Sequence, residues 1–334
     1  SPIPGHPFET DLDITGERSL HRLLDCAVTK EGSERLKSWL LSARPDADLI
    51  ARRQALVREL KDHYVFRDKL QLLSAVARIN TGRRGERSLW NSNALVDWLA
   101  RDERKDSLLP TIVVLSLLSA LNILCIVLAS LDLIPPIWPV TLLIYVGAMM
   151  LKQSRIATAW DELQGLEKAL TYFQVVFGYL ESRSYQNTPG LARICAAFAE
   201  EGKQPSRQIR RLGRVATALG LRTNPILSLL VHLLVPWNFI FTHRLELMKK
   251  EIAGLLPRWL DAWYELEALN SLANFAYLNP HYEFPELLGE TGRMVARELG
   301  HPLLKPESKV CNDFELDEDR REQLRLRREH VLLG

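Results

Sequence analysis

Arg207, Arg210, Arg211 and Arg214 fall at i, i+3, i+4 and i+7, so a helix through them presents their guanidinium groups on one face. Planar, permanently charged forks of this kind suit phosphate oxygens. Two readings stand for this face: a phosphate-binding stripe, or a solvated face whose acidic partners come from another helix. Arg83, Arg84 and Arg87 beside Gly82 and Gly85 form a flexible basic loop with a weaker claim on phosphate. His301, followed by Pro302, reads as a structural residue at a loop-to-strand junction. The 8 histidines include no HExxH pair and no spacing that suits a metal site. The cysteines Cys26, Cys125, Cys195 and Cys311 lie far apart without a CxxC pair, which fits reduced thiols and a cytosol-facing bulk. Glu265 and Glu267 point to different helical faces, and no nucleophile elbow is present. A phosphate-binding loop, Gly-x-x-x-x-Gly-Lys-Ser/Thr, is absent as well, so the chain is not expected to hydrolyse ATP by itself.

The elements that position these residues are helices. With 334 residues, 47% of them hydrophobic, the chain can build a real core, and a formal net charge of +2 confines any electrostatic footprint to local stripes. Ile156, Leu163, Leu170 and Phe177 repeat every seven residues, with Leu166, Phe173 and Leu180 in the same seam, which predicts one long helix from about Arg155 to Glu181. Leu245, Met248, Ile252, Leu255, Trp259, Leu266, Leu269, Ala273 and Ala276, with Ala262 in the gap, predict a second, ended or kinked at Pro257. The two seams can pack together. No run of alternating strands is expected before residue 300, and the fold class is mainly α.

Between Leu108 and Leu151 the only formal charge is Asp132. Thr111–Leu131 is an uncharged apolar run of about 20 residues, enough to cross roughly 30 Å of hydrocarbon, and Leu133–Leu151 can cross back. Pro135, Pro136 and Pro139 break the helix between them, and Trp138 suits an interfacial position. Arg101, Arg104 and Lys105 on one flank and Lys152 and Arg155 on the other place both ends in the cytosol. The expectation is a transmembrane helical hairpin. A buried hairpin in a soluble protein would instead need partners covering two helices that are apolar all round. Ile226–Thr242, with His232, Pro236 and Asn238, reads as a core or interfacial helix rather than a third span.

Leu12-Asp13-Ile14, Ser19-Leu20, Leu23-Leu24-Asp25, Thr29, Gly32, Leu36, Trp39-Leu40, Arg53-Gln54, Val57 and Leu60 follow an order and spacing that resemble the opening of the MutS mismatch-repair core domain. Glu267-Ala268-Leu269 and Ser271-Leu272-Ala273 resemble that family's lever helix. Glu298-Leu299-Gly300-His301-Pro302-Leu303-Leu304 resembles its Gly-Arg-His-Pro motif, with Leu299 and Gly300 departing from the usual glycine and arginine. Asn312-Asp313-Phe314-Glu315-Leu316 resembles the strand that follows. The local physics agrees, since Thr29 can cap a helix and Asp46 can cap the next one. The hairpin is foreign to soluble MutS and similar to a membrane-associated branch.

The resemblance implies a long-helix MutS-like core and lever, an inserted transmembrane hairpin and the beginning of an α/β ATPase domain. The corresponding segments are 1–106 and 153–295 for the core and lever, 107–152 for the hairpin and 296–334 for the ATPase start. It implies ATP and Mg²⁺ for the complete protein, though nothing in this chain alone supports either. Val310 and Asn312 would line an adenine pocket, and a homodimer would form through the complete ATPase domain. The family's mismatch-reading and connector domains would precede residue 1, so lesion recognition is not expected. The chain reads as a fragment whose Val331-Leu332-Leu333-Gly334 would lead into the phosphate loop, while Asp317–Arg328 fits the family poorly. Phosphate partners of the arginine face are then the DNA backbone or anionic lipid headgroups near the hairpin. The resulting functional expectation is a membrane-anchored, ATP-dependent DNA-binding clamp, and the alternative is a membrane scaffold that uses the core for protein association without DNA.

Overall fold

The computed structural model describes residues 9–43, 46–81, 107–151, 156, 173–219, 235–287, 293–305 and 307–316. It is mainly helical. The chain divides into two units, one of Ser1–Ala27, Ser33–His63 and Glu267–Gly334, the other of Val28–Gly32 and Tyr64–Leu266.

In the first unit, α1 (Leu20–Leu24) is started by Ser19, whose Oγ accepts the Arg22 N–H at 3.2 Å and donates to the Gly16 carbonyl at 2.9 Å. Gly16 has a φ of +118°, a conformation open to glycine and strained for other residues. α2 (Lys30–Leu40) opens with Thr29 Oγ1 accepting the Gly32 N–H at 3.0 Å, and α3 (Ala47–Asp62) opens with Asp46 accepting the Leu49 N–H at 3.0 Å. Both caps are those expected from sequence. Asp25 ties this region together, accepting from Ala27 N–H at 3.0 Å and from Ser33 Oγ at 2.6 Å. Leu24, Leu36 and Ala268 form a buried cluster against which Trp39, Leu272 and Phe275 pack. Arg53 lies over the Trp39 ring at 4.0 Å, and Gln54 Nε2 donates to the Pro285 carbonyl at 2.8 Å.

The last described residues of this unit form an antiparallel pair, β1 (Met294–Leu299) and β2 (Asn312–Leu316), with Met294 opposite Leu316 and Ala296 opposite Phe314. β1 therefore lies before residue 300, where sequence reading expected no alternating strands. Its five outermost residues by exposure show why: nearly every position of Met-Val-Ala-Arg-Glu-Leu faces solvent, so no buried face imposes an alternating pattern. Gly300 follows, and a Cβ there would meet Cys311 Sγ at 2.8 Å and Lys309 Cδ at 2.9 Å.

The second unit contains α4 (Tyr64–Thr81), α5 (Leu109–Ser130), α6 (Trp138–Met150), α7 (residues 173–181), α8 (Pro189–Ala199), α9 (Pro205–Leu219) and the greater part of α10 (Trp237–Leu278). Its centre is aromatic. Phe177 meets Phe173 at 5.0 Å, Phe198 at 5.3 Å and Trp263 at 5.8 Å between ring centroids. Trp259 Nε1 donates to the Ala197 carbonyl at 3.1 Å, fixing α8 against α10. The described end of the 156–180 seam thus packs on α10, as the two stripes suggested. The rest of that seam, residues 157–172, lies outside the described residues. Cys195 sits in this core, where burial pushes its thiol up to about 11.

α10 runs for 42 residues and does not end at Pro257. Ile252, Leu256, Trp259, Leu260 and Trp263 are buried on both sides of the proline, and their packing outweighs a penalty of about 3 kcal/mol. Leu256 rather than Leu255 is the buried residue beside the proline, and residues 266–271 are buried all round instead of along one stripe.

Candidate membrane anchor and arginine groove

α5 and α6 form an antiparallel hairpin with inverted polarity. α5 buries Ser119 and Asn122, at 3% and 2% exposure, while Leu117 and Leu124 stand 66% and 52% exposed. Asn122 Oδ1 accepts from Thr141 Oγ1 on α6 at 3.0 Å, with the Trp138 carbonyl as a second acceptor for that hydroxyl. Leu115, Ser119, Asn122 and Cys125 make the inward seam of α5, and Tyr145 is the buried residue of α6. Outside the seam the hairpin offers hydrocarbon in every direction, including Val113, Leu121, Leu143 and Ile144.

α5 is long and apolar enough to cross a membrane: its 22 residues span about 33 Å, and only 22% of its most apolar window is buried. α6 is shorter than the expected Leu133–Leu151 span. Its 13 described residues reach about 20 Å, because Pro135 and Pro136 lack backbone donors and Pro139 sets the first turn. α5 ends in a compact turn in which Asp132, at a φ of 56°, donates its N–H to Ala129 and Leu133 donates to Leu128. At the other end of the hairpin Leu108, Leu115, Tyr145, Ile156 and Phe239 form one buried cluster, so the start of α10 packs on the hairpin.

The arginine face occupies α9. Ile209, Leu212 and Val215 are buried, and Arg207, Arg210, Arg211 and Arg214 are exposed opposite them. Glu181 Oε1 accepts the Ser206 N–H at 2.6 Å at the start of this helix. α9 runs antiparallel to α10 and is pinned at two places. At one, buried Gln208 donates to Glu251 Oε1 at 2.8 Å, and Arg211 pairs with Glu251 Oε2 at 3.5 Å. At the other, Trp237 Nε1 donates to the Ala218 carbonyl at 2.9 Å.

Between these two pins the helices enclose an open groove of about 570 Å³. Arg211 and Arg214 enter it from α9, while Arg244 and Glu251 enter from α10. Its floor is apolar, formed by Val215, Phe241, Leu247 and Met248. Arg244 lies over the Phe241 ring at 5.8 Å. Arg214 and Arg244 have no acidic partner among the described residues. Arg211 thus has an acidic partner from another helix, while Arg214 joins a concave cationic surface and Arg207 and Arg210 are not among its lining residues. Arg244 was missed as a partner of the stripe, since helical periodicity shows which residues share a face but not which helix faces it.

Val310 is 73% exposed, and Asn312 opens the exposed strand β2. An apolar surface and one amide supply neither a phosphate cradle nor ligands for Mg²⁺, so these residues do not fit a nucleotide triphosphate by themselves. His301 Nδ1 accepts the Leu303 N–H at 3.3 Å, a local turn contact. Arg83, Arg84 and Arg87, residues 226–234, Asp317–Arg328 and Val331–Gly334 lie outside the described residues. No known protein family, curated protein or solved structure matches the chain.

Proposed function

We propose that this chain is the membrane anchor and helical core of a MutS-related protein that acts as a dimeric, ATP-dependent clamp on DNA. The observation that carries the anchor is the inverted polarity of the hairpin. A soluble hairpin would turn Asn122 and Ser119 outward and its leucines inward; here both are buried, Asn122 accepting from the Thr141 hydroxyl of the facing helix, while leucines face out. The absence of formal charge on both helices and the positions of flanking Arg and Lys residues support a bilayer crossing with both ends cytosolic.

The MutS-like part rests on the resemblance in the sequence, and its residues carry structural work. Ile14, Ser19, Leu24, Thr29, Leu36, Val57 and Leu60 are buried. α10, continuous for 42 residues, suits a lever, because a single helix transmits displacement along its axis. ATP, Mg²⁺ and the dimer contact would belong to the ATPase domain of the complete protein.

DNA contact falls to Arg207 and Arg210, which are exposed on the arginine face of α9 and do not line the groove. Converting both to glutamine in the complete protein is expected to lower duplex affinity and to reduce the slope of log K against log salt by about 2. Filter binding or fluorescence anisotropy across a salt series measures this. Duplex binding with an unchanged slope, or no duplex binding by the unsubstituted protein, would favour the membrane scaffold that associates through its core with protein alone.

A further inference from the structure

We propose that the groove between α9 and α10 binds the phosphate of an anionic phospholipid from the leaflet in which the hairpin is rooted. The inference rests on the reading that α5 and α6 enter a bilayer. Three properties of the groove point to this occupant.

Charge comes first. Glu251 already satisfies Arg211, so Arg214 and Arg244 supply two guanidinium forks to one concave space without an acidic partner among the described residues. Second, beneath these forks lie Phe241 and Leu247, the latter 54% exposed. A nucleic-acid backbone has no use for such a floor, whereas the glycerol and first methylenes of a lipid do. Third is position. Phe239 belongs to the cluster at the base of the hairpin, and Arg244 follows it on α10 by about 7.5 Å of helix rise. The headgroup layer of one leaflet is about 5 to 8 Å deep, so a helix leaving the hairpin base places Arg244 within reach of lipid phosphate. Trp237, its ring tilted against Phe241 with centroids 4.5 Å apart, adds the aromatic neighbour typical of that layer.

The test uses the full chain in nonionic detergent, titrated with dihexanoyl phosphatidylglycerol or dihexanoyl phosphatidylcholine, with affinity read by calorimetry. The phosphatidylglycerol is expected to bind at least ~10-fold more tightly, since each basic group near an anionic surface contributes about 5-fold. Arg214→Gln with Arg244→Gln should remove most of that preference. Both side chains are exposed, and unchanged melting of the double variant would show that its fold is intact. Glu251→Gln should act oppositely and tighten phosphatidylglycerol binding by about 3-fold, because the amide oxygen still accepts from Gln208 while the groove loses its negative charge. Equal affinity for the two lipids, or a preference that survives the double substitution, would overturn the proposal. So would a short DNA duplex that displaces the phosphatidylglycerol and loses affinity in the same double variant, since the groove would then be a DNA phosphate site. Flotation with pure phosphatidylcholine liposomes tests the anchor separately. Both wild type and double variant should float, and failure of both would remove the hairpin reading whatever the titration gives.

Discussion

Replacing residues 107–152 with a short Gly/Ser linker is expected to move the chain from the membrane fraction to the soluble fraction. The geometry permits the excision, because Leu108 and Ile156 lie in one buried cluster at the base of the hairpin. The change should be close to complete. Each exposed leucine or isoleucine of the hairpin contributes about 1.5 to 3 kcal/mol to partition into an apolar phase, and Leu117, Leu121, Leu124, Leu143 and Ile144 are only part of that surface. Among the described helices α5 alone is long and apolar enough to span. Phe239 loses its cover in the deletion, so Phe239→Gln should accompany it to keep the product soluble. Fractionation with circular dichroism of the soluble product checks the outcome. Retention in the membrane would assign the anchor to another segment, with residues 226–242 the first to test.

Trp263→Ala is expected to destabilise the second unit by about 3 to 5 kcal/mol, a large part of the stability of an ordinary domain. Trp263 is fully buried and meets the rings of Phe173 at 6.1 Å and Phe177 at 5.8 Å, so its removal opens a cavity where α7 and α10 are held together. Trp263→Phe retains an aromatic body and should cost less. Val175→Ala, on α7 but 38% exposed, should lie within about 0.5 kcal/mol of the parent. Urea unfolding followed by circular dichroism, in detergent for the full chain, ranks the three. Equal midpoints for Trp263→Ala and Val175→Ala would show that the aromatic centre does not hold this unit.

Local physics was legible in the sequence, and partnership between distant segments was not. Asp46 and Thr29 announced their caps because an N-cap depends on one side chain and the next turn. The hairpin was legible from its length and lack of charge, but the shortness of α6 follows from how Pro135, Pro136 and Pro139 divide the turn from the helix. The arginine face followed from spacing alone. Its conversion into a groove required Glu251 and Arg244, and the Arg211–Glu251 pair joins different helices that no periodicity relates. β1 escaped because an exposed two-stranded pair has no hidden face to write an alternation into the sequence. Gly300 shows the same limit, since the side chains of Cys311 and Lys309 that close on it come from a segment no local pattern relates to it.

The most direct test of the anchor is the sidedness of two thiols. Cys311 is exposed, and Leu133, 66% exposed in the turn between α5 and α6, can be replaced by cysteine. Cys26 and Cys125 are replaced by alanine, and Cys195 remains protected by burial and a thiol pushed up to about 11. A membrane-impermeant maleimide is applied to sealed vesicles of one orientation, then again after opening with detergent. The expected result is labelling of Cys311 and of Leu133→Cys from opposite sides, each reaching the reagent where the other does not. Labelling of both from the same side in sealed vesicles would show that the hairpin does not cross the bilayer, and would contradict the account.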